Sequence, residues 1–429
     1  MIDKTNYKLQ NVATGRVFED SFWLLNDPTY DKASLIRAIY ESKQLNVKDD
    51  SYGFYKFNDW LPLCRTLTDS APIITYKGEK LGKELGLENL FITFSGYWPE
   101  KGADMQTCSF KEAEAYSVCG RLCPNIKRIL TVASAGNTAR AFAKVCSENE
   151  IPLLICIPEE NLEALWFEKP LNDCVKIIAT PKGTDYFDSI YLSNIICKSP
   201  MFLEEGGAKN VARRDGMGTC VLSATTFIGQ IPDVYLQAVG SGTGTIAAWE
   251  ANLRLIEDGR FGKTKMRLMP SQNEPFTPMV DAWKNRSRNI VFADEQKARE
   301  TALLIDAKVL SNRKPPYGIA GGLFDALTDT GGCMESATNE ELAKACALFE
   351  KVEGIDIAPA AGVAVASLQK YIEKSEIRKD EIVLLNITGG GEKRIKADHK
   401  MYQAKANLVL DPYKLNEDEV LKEAERLFR

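Results

Sequence analysis

The sequence holds a single histidine, His399, in 429 residues. That scarcity excludes a histidine-based catalytic triad and a histidine-rich metal site. Any proton transfer therefore falls to lysine, carboxylate, hydroxyl or a substrate phosphate. No apolar run approaches the length of a membrane span. The start, Met1 to Lys8, is polar and charged, with no apolar signal core behind it; no membrane association is expected, and the cytoplasm is the default compartment. Long basic tracts are missing and the net charge is −5, which leaves nucleic-acid binding without electrostatic support. The eleven cysteines are odd in number and scattered. Several, such as Cys146, Cys156 and Cys346, sit in apolar stretches, a pattern of reduced buried thiols rather than of a disulfide framework. Cys119 and Cys123 stand one helical turn apart but have no second ligand pair nearby, so no metal site is expected. Internal repeats and low-complexity tracts are absent as well.

What is present is a globular composition, 45% hydrophobic and 26% charged, in a chain long enough for two domains. Residues 1–60 are mixed: 7–12 read as a short strand, 32–45 as a helix, and 60–62 as an ordered connection. Residues 77–85 read as a helix ended by Gly86, and 90–94 as a strand. Residues 95–102 read as a loop, either an ordered surface turn or a pocket wall. Then the pattern becomes regular. A strand at 128–133, a turn at 134–137, a helix at 138–148 and an almost wholly apolar strand at 151–157 make a βαβ unit of a parallel sheet buried on both faces. Further helices are predicted at 163–168, 185–196, 340–350, 362–374 and 417–428, and strands at 175–179, 235–239, 266–269 and 381–387. This alternation predicts an α/β protein with largely parallel sheets, whose ligands lie outside the carboxyl ends of the strands.

Four marked stretches fall at strand ends or helix starts. Thr107-Cys-Ser-Phe-Lys-Glu112 puts Lys111 in the first turn of a helix, with Ser109 and Glu112 spaced for a capping box. The positive potential of that turn lowers a lysine pKa, and a neutral amine is what Schiff-base chemistry needs. The plainer alternative is a solvated lysine. Gly240-Ser241-Gly242-Thr243-Gly244 lies between a predicted strand and a predicted helix. It is either a phosphate cradle of N–H groups and hydroxyls or a tight turn; it lacks the lysine of a P-loop and the full dinucleotide fingerprint. Ser134-Ala135-Gly136-Asn137-Thr138 offers similar chemistry plus an amide, suited to a carboxylate, or is a helix cap. Thr388 ends a strand with three glycines behind it, so its hydroxyl either approaches a flat ligand or belongs to a turn. Arg213 and Arg214, beside the glycine-rich Glu205-Gly-Gly-Ala208, are bidentate partners for a phosphate or a solvated surface pair.

Together these stretches resemble the fold-type II enzymes of pyridoxal phosphate, the tryptophan synthase β-like family that includes threonine synthase and the cysteine synthases. Residues 95–103, 107–112, 205–219, 237–244 and 313–323 are most similar to its cysteate synthase branch, and the likeness runs from about Leu61 to Arg394. It implies two domains with mostly parallel sheets and the site between them. Residues 61–110 and 220–429 would form a large cofactor-binding domain, 111–219 a smaller α/β domain, and 1–60 a segment packed on the core. Relatives often carry cysteine pairs in that segment; none is present here, so no metal is expected. By the same resemblance Lys111 carries pyridoxal phosphate as a Schiff base and moves the Cα proton. Asn137 bonds the cofactor's ring hydroxyl oxygen, Gly240, Ser241, Gly242, Thr243 and Gly244 hold its phosphate, and Thr388 faces the pyridine nitrogen. Ser134, Ala135, Gly136, Asn137 and Thr138 bind the substrate carboxylate, and Arg213 its phosphate. The implied reaction replaces the phosphate of O-phospho-L-serine by sulfite to give L-cysteate, a product compatible with coenzyme M or sulfonolipid synthesis, in a homo-oligomer. Threonine synthase, acting on O-phosphohomoserine and water, and a phosphoserine-dependent cysteine synthase share every cofactor contact and stay open. So do a catalytically inactive ligand-binding relative and a nucleotide binder.

Overall fold

The apolar strands of the second half of the chain lie side by side. In the computed structural model, which describes residues 4–429 and so leaves Met1 to Asp3 outside the described residues, they form the larger of two parallel sheets. Its order is Glu335–Ala337, Arg267–Asn273, Val234–Ala238, Ile382–Gly390, Asn89–Trp98 and Ile74–Lys77. Neighbours in this order run parallel except Ile74–Lys77, and the short strand Ala103–Asp104 also pairs antiparallel with Asn89–Trp98. The second sheet, wholly parallel, orders Phe202–Glu204, Ile129–Ala133, Leu153–Pro158, Val175–Thr180 and Leu408–Val409. The strands read as continuous apolar runs because both faces are covered: Val383, Leu384, Leu385 and Ile387 are fully buried. Each such side chain contributes roughly 1.5–3 kcal/mol on leaving water.

Three helices join the sheets at the site. Helix Lys111–Arg121 packs on one side against Asn137–Glu148 and on the other against Val211–Ile228, a long buried helix that the sequence reading did not single out. The second contact is close because Gly216 has no side chain; a Cβ there would lie 2.5 Å from Ala113 O.

Four expectations are corrected. Residues 32–45 are not helical but hold strand Ile36–Tyr40, which pairs antiparallel with Tyr7–Asn11. Ile36, Ala38 and Tyr40 are buried while Arg37 and Ile39 are half-buried, the two-residue alternation of a strand. Residues 95–102 are not a loop: the strand continues to Trp98, with Gly96 opposite Gly390, and ends in a 3-10 turn at Pro99–Lys101. Residues 163–168 hold the end of a 3-10 turn, Glu159–Ala164, and strand Trp166–Phe167, which is tied to Tyr402–Gln403. Cys146 and Cys156 are buried thiols as expected and Cys346 is a free thiol only partly buried, but Cys64 and Cys123 are joined in a disulfide, because the turn after helix Lys111–Arg121 returns to the segment that follows Trp60. The C-terminal strand Leu408–Val409 joins the second sheet, and helix Glu417–Arg426 packs on Tyr186–Ile196. Among the described residues no helix is long and apolar enough to cross a membrane, and no cluster of metal-ligating side chains occurs.

Candidate active site

Segment 107–114 touches Thr388 and Arg213 directly and Asn137 through Arg140. Thr107 to Phe110 lead into the helix over the end of strand Ile382–Gly390, and Phe110 N–H donates to Thr388 O at 3.0 Å. The approach needs Gly389, where a Cβ would stand 2.7 Å from Cys108 O. The expected capping box does not form. Ser109 Oγ does accept from Lys111 N at 3.3 Å, but the Glu112 carboxylate turns inward and accepts from Thr107 N at 2.9 Å and Thr107 Oγ1 at 2.8 Å. The cause is burial: Glu112 is fully enclosed and faces Lys144 Nζ at 3.6 Å.

Lys111 is not the solvated lysine of the plainer reading. Its side chain is 21% exposed, with Nζ 3.1 Å from Glu114 Oε2 and 4.8 Å from the centre of the Phe110 ring. Burial lowers its pKa first; Glu114 opposes that shift and the Arg213 guanidinium adds to it. The depressed pKa expected from the first helical turn is therefore present, with burial as its leading cause.

Asn137 opens helix Asn137–Glu148 at the end of strand Ile129–Ala133. The Ser134 hydroxyl accepts from Gly136 N at 3.2 Å and Ala139 N at 3.1 Å, which is the work of a helix cap. Asn161 steadies the loop by donating to Ala135 O at 3.0 Å. Asn137 Oδ1 accepts from Arg140 at 3.0 Å, and Arg140 also donates to Thr107 O at 2.9 Å, four residues before Lys111.

Gly240 to Gly244 follow strand Val234–Ala238, whose neighbour is the strand of Thr388. The two strands run parallel, with Leu236 opposite Leu385, so the glycine loop and Thr388 both lie toward the carboxyl end of the same sheet. Each glycine is enforced differently. Gly242 has φ +78°, a Cβ at Gly240 would lie 2.9 Å from Val309 O, and one at Gly244 would lie 2.5 Å from Gln237 Nε2. Ser241 and Thr243 share a hydroxyl hydrogen bond of 2.7 Å. The cap residue of helix Thr243–Asp258 is Gly242, which has no side chain; Ser241 Oγ accepts from Thr243 N at 3.3 Å, and the rest of the first turn is left to an anion.

Arg213 is only partly where the sequence put it. It joins the site through Glu114, with Nη1 2.8 Å from Glu114 Oε1, but its Nε donates to Glu205 at 2.9 Å and Nη2 bonds the same carboxylate. The guanidinium thus meets two buried carboxylates. Burial works against its charge, and Glu114 and Glu205 outweigh burial and raise its pKa. Arg214 is no surface residue either: it is fully buried on Glu250. Glu114, Glu205 and Arg140 were missed by the sequence reading.

This donor set fits pyridoxal phosphate. A 16-residue helix without a cap side chain and with two hydroxyls at its start suits a phosphate, and a partly shielded amine suits an aldehyde. The Thr388 hydroxyl makes no hydrogen bond among the described residues and is free for a ring nitrogen.

Known proteins agree with this assignment. Residues 100–389 match the family of pyridoxal-phosphate dependent enzymes. The chain is similar to cysteate synthases of Methanosarcina barkeri (46% identical, over 93% of this chain and 95% of that one) and Methanosarcina acetivorans (47%, 88% and 91%). It is also similar to that of Methanocella arvoryzae (44%, 97% and 99%). In fold it resembles maize serine racemase (TM-score 0.57, 13% identical, covering 83% of this chain and 94% of that one). Threonine deaminase isoform 2 of Solanum lycopersicum is a second such likeness (TM-score 0.53, 15%, 76% and 82%). The chain belongs to the cysteate synthase family of pyridoxal-phosphate-dependent enzymes.

Proposed function

We propose that this enzyme makes L-cysteate by replacing the phosphate of O-phospho-L-serine with sulfite. The observation that carries the reading is identity of 44–47% to three cysteate synthases over most of both chains. The site is read as lying between a smaller unit built on 111–219 and a larger one built on 61–110 and 220 onward. The enzyme is read as a cytoplasmic homo-oligomer.

When bound, pyridoxal phosphate supplies an electron sink in conjugation with the substrate's Cα. Lys111 would hold the cofactor through its aldehyde carbon, and its neutral amine, once free, would take the Cα proton and later return it. Gly240 to Gly244 hold the cofactor phosphate and Asn137 its ring oxygen. The Thr388 hydroxyl would face the ring nitrogen and, unlike a carboxylate, would not force its protonation, which would favour loss of the leaving group over transamination. The backbone from Ser134 to Thr138 receives the substrate carboxylate. At Arg213 the substrate phosphate competes with Glu114 and Glu205, one dianion against two buried carboxylates. The C–O bond to phosphate breaks and a C–S bond to sulfite forms at the same carbon.

The test is a product assay with O-phosphoserine and with O-phosphohomoserine, each with and without sulfite. Cysteate and free phosphate are expected from phosphoserine with sulfite. Phosphate release from phosphohomoserine alone would reject the reading in favour of a threonine synthase. Borohydride should trap the cofactor on Lys111, whereas a colourless protein that takes up no pyridoxal phosphate would mark a ligand-binding relative.

A further inference from the structure

Arg140 is 4% exposed and forms no ion pair with a carboxylate among the described residues. Its guanidinium is held instead by uncharged acceptors. Nε and Nη2 donate to Thr107 O at 3.2 and 2.9 Å, Nη1 donates to Ala164 O at 2.8 Å, and the plane lies 4.1 Å from the centre of the Trp166 ring. The remaining contact is with Asn137, 3.0 Å from Nη2 to Oδ1. Arginine has donors and no acceptor, so the amide atom facing it must be the oxygen. The NH2 edge of Asn137 is thereby turned away from Arg140, and no protein acceptor among the described residues engages it.

An asparagine amide left unheld can present either edge to a ligand. Against an oxygen that carries negative charge, one edge donates and the other repels. We propose that Arg140 is a positioning residue that locks the Asn137 amide with its N–H edge toward the cofactor's ring oxygen, and that its buried charge polarises that amide. This rests on the reading that Asn137 bonds that oxygen. It also explains why a buried cation sits one helical turn beyond Asn137 without a carboxylate partner: an ion pair there would cancel the polarisation.

The test measures the dissociation constant of pyridoxal phosphate and the visible absorption band of the holoenzyme in wild type, Arg140→Met, Asn137→Ala and the double variant. Arg140→Met should weaken cofactor binding on the order of tenfold, the loss of one charge-assisted hydrogen bond, and should move absorbance from the visible to the near-ultraviolet band. Asn137→Ala should do the same, and the double variant should be no worse than Asn137→Ala. Wild-type affinity and band in Arg140→Met, with Asn137→Ala altered, would overturn the inference alone; so would losses that multiply in the double variant, since those mark a structural role. Unchanged behaviour in Asn137→Ala would overturn both the inference and the reading beneath it. Should Arg140→Met fail to fold, Arg140→Lys keeps the charge but not the fork. It should shift both readouts in the same direction by less, and wild-type behaviour there would overturn the inference.

Discussion

Lys111 is the residue whose protonation the surrounding structure controls most directly. Burial disfavours its ammonium form, Arg213 adds to that, and Glu114 at 3.1 Å opposes it. Only the neutral amine reacts with an aldehyde, so the apoprotein's rate of taking up pyridoxal phosphate should rise with pH. The midpoint should lie below the ordinary lysine value of 10.5. Glu114→Gln removes the charge that favours the ammonium and should move the midpoint lower still. Stopped-flow absorbance across pH measures both, and a midpoint that rises in Glu114→Gln would reject the assignment of that carboxylate. Lys111, Asn137 and Thr388 were singled out as candidates in the sequence because each sits in a local pattern of glycines, hydroxyls and predicted strand ends. Glu114 and Arg140 each stand three residues along a helix from a residue that was found, a spacing that puts them on the same face. Their significance comes from Glu205, Ala164 and Arg213, which arrive from distant parts of the chain, and no local pattern announces those. The same distance hid the Glu114 half of the double carboxylate clamp on Arg213.

At the scale of elements, the end of strand Ile382–Gly390 decides where the lysine helix begins. Gly389 lets the backbone of Cys108 pass at a distance that a Cβ would close to 2.7 Å from the carbonyl oxygen. Neither neighbour can yield cheaply, since Phe110 N is bonded to Thr388 O and Ala358 N to Gly389 O at 2.9 Å. Gly389→Ala should therefore cost about 1–3 kcal/mol of stability by overpacking. It should also weaken cofactor binding, because the shift propagates along three residues to Lys111. Urea denaturation of the apoprotein and a cofactor titration separate the two effects; an alanine variant with wild-type values in both would show that the strand end does not set the lysine. The β runs and long amphipathic helices were readable from periodicity. The errors fell on short segments, where a five-residue strand and a helical turn carry similar hydrophobic patterns. Ile36–Tyr40 is a strand because Tyr7–Asn11 is there to pair with it, and Asn89–Trp98 runs past the predicted end because Gly390 extends the ladder beside Gly96.

For the whole molecule, the proposed site draws on elements of both parallel sheets. Thr388 and the Gly240–Gly244 loop end strands of the larger one, and Asn137 follows a strand of the smaller. A ligand held by both sets of residues binds only the state in which both are folded and joined. Cofactor binding should then stabilise the chain by about 1.4 kcal/mol for each tenfold rise in free pyridoxal phosphate above its dissociation constant. Two tryptophans report the two regions separately. Trp98 lies at the end of a strand of the larger sheet, and Trp166 lies under Arg140 beside the smaller one. In chains where one or the other is the only tryptophan reporter, the urea midpoints of both should climb together as the cofactor is added. A Trp98 midpoint that rises while Trp166 stays fixed would mean that the cofactor rests on the larger sheet alone. The role given to Asn137 would then be lost, whatever the chemistry at Lys111.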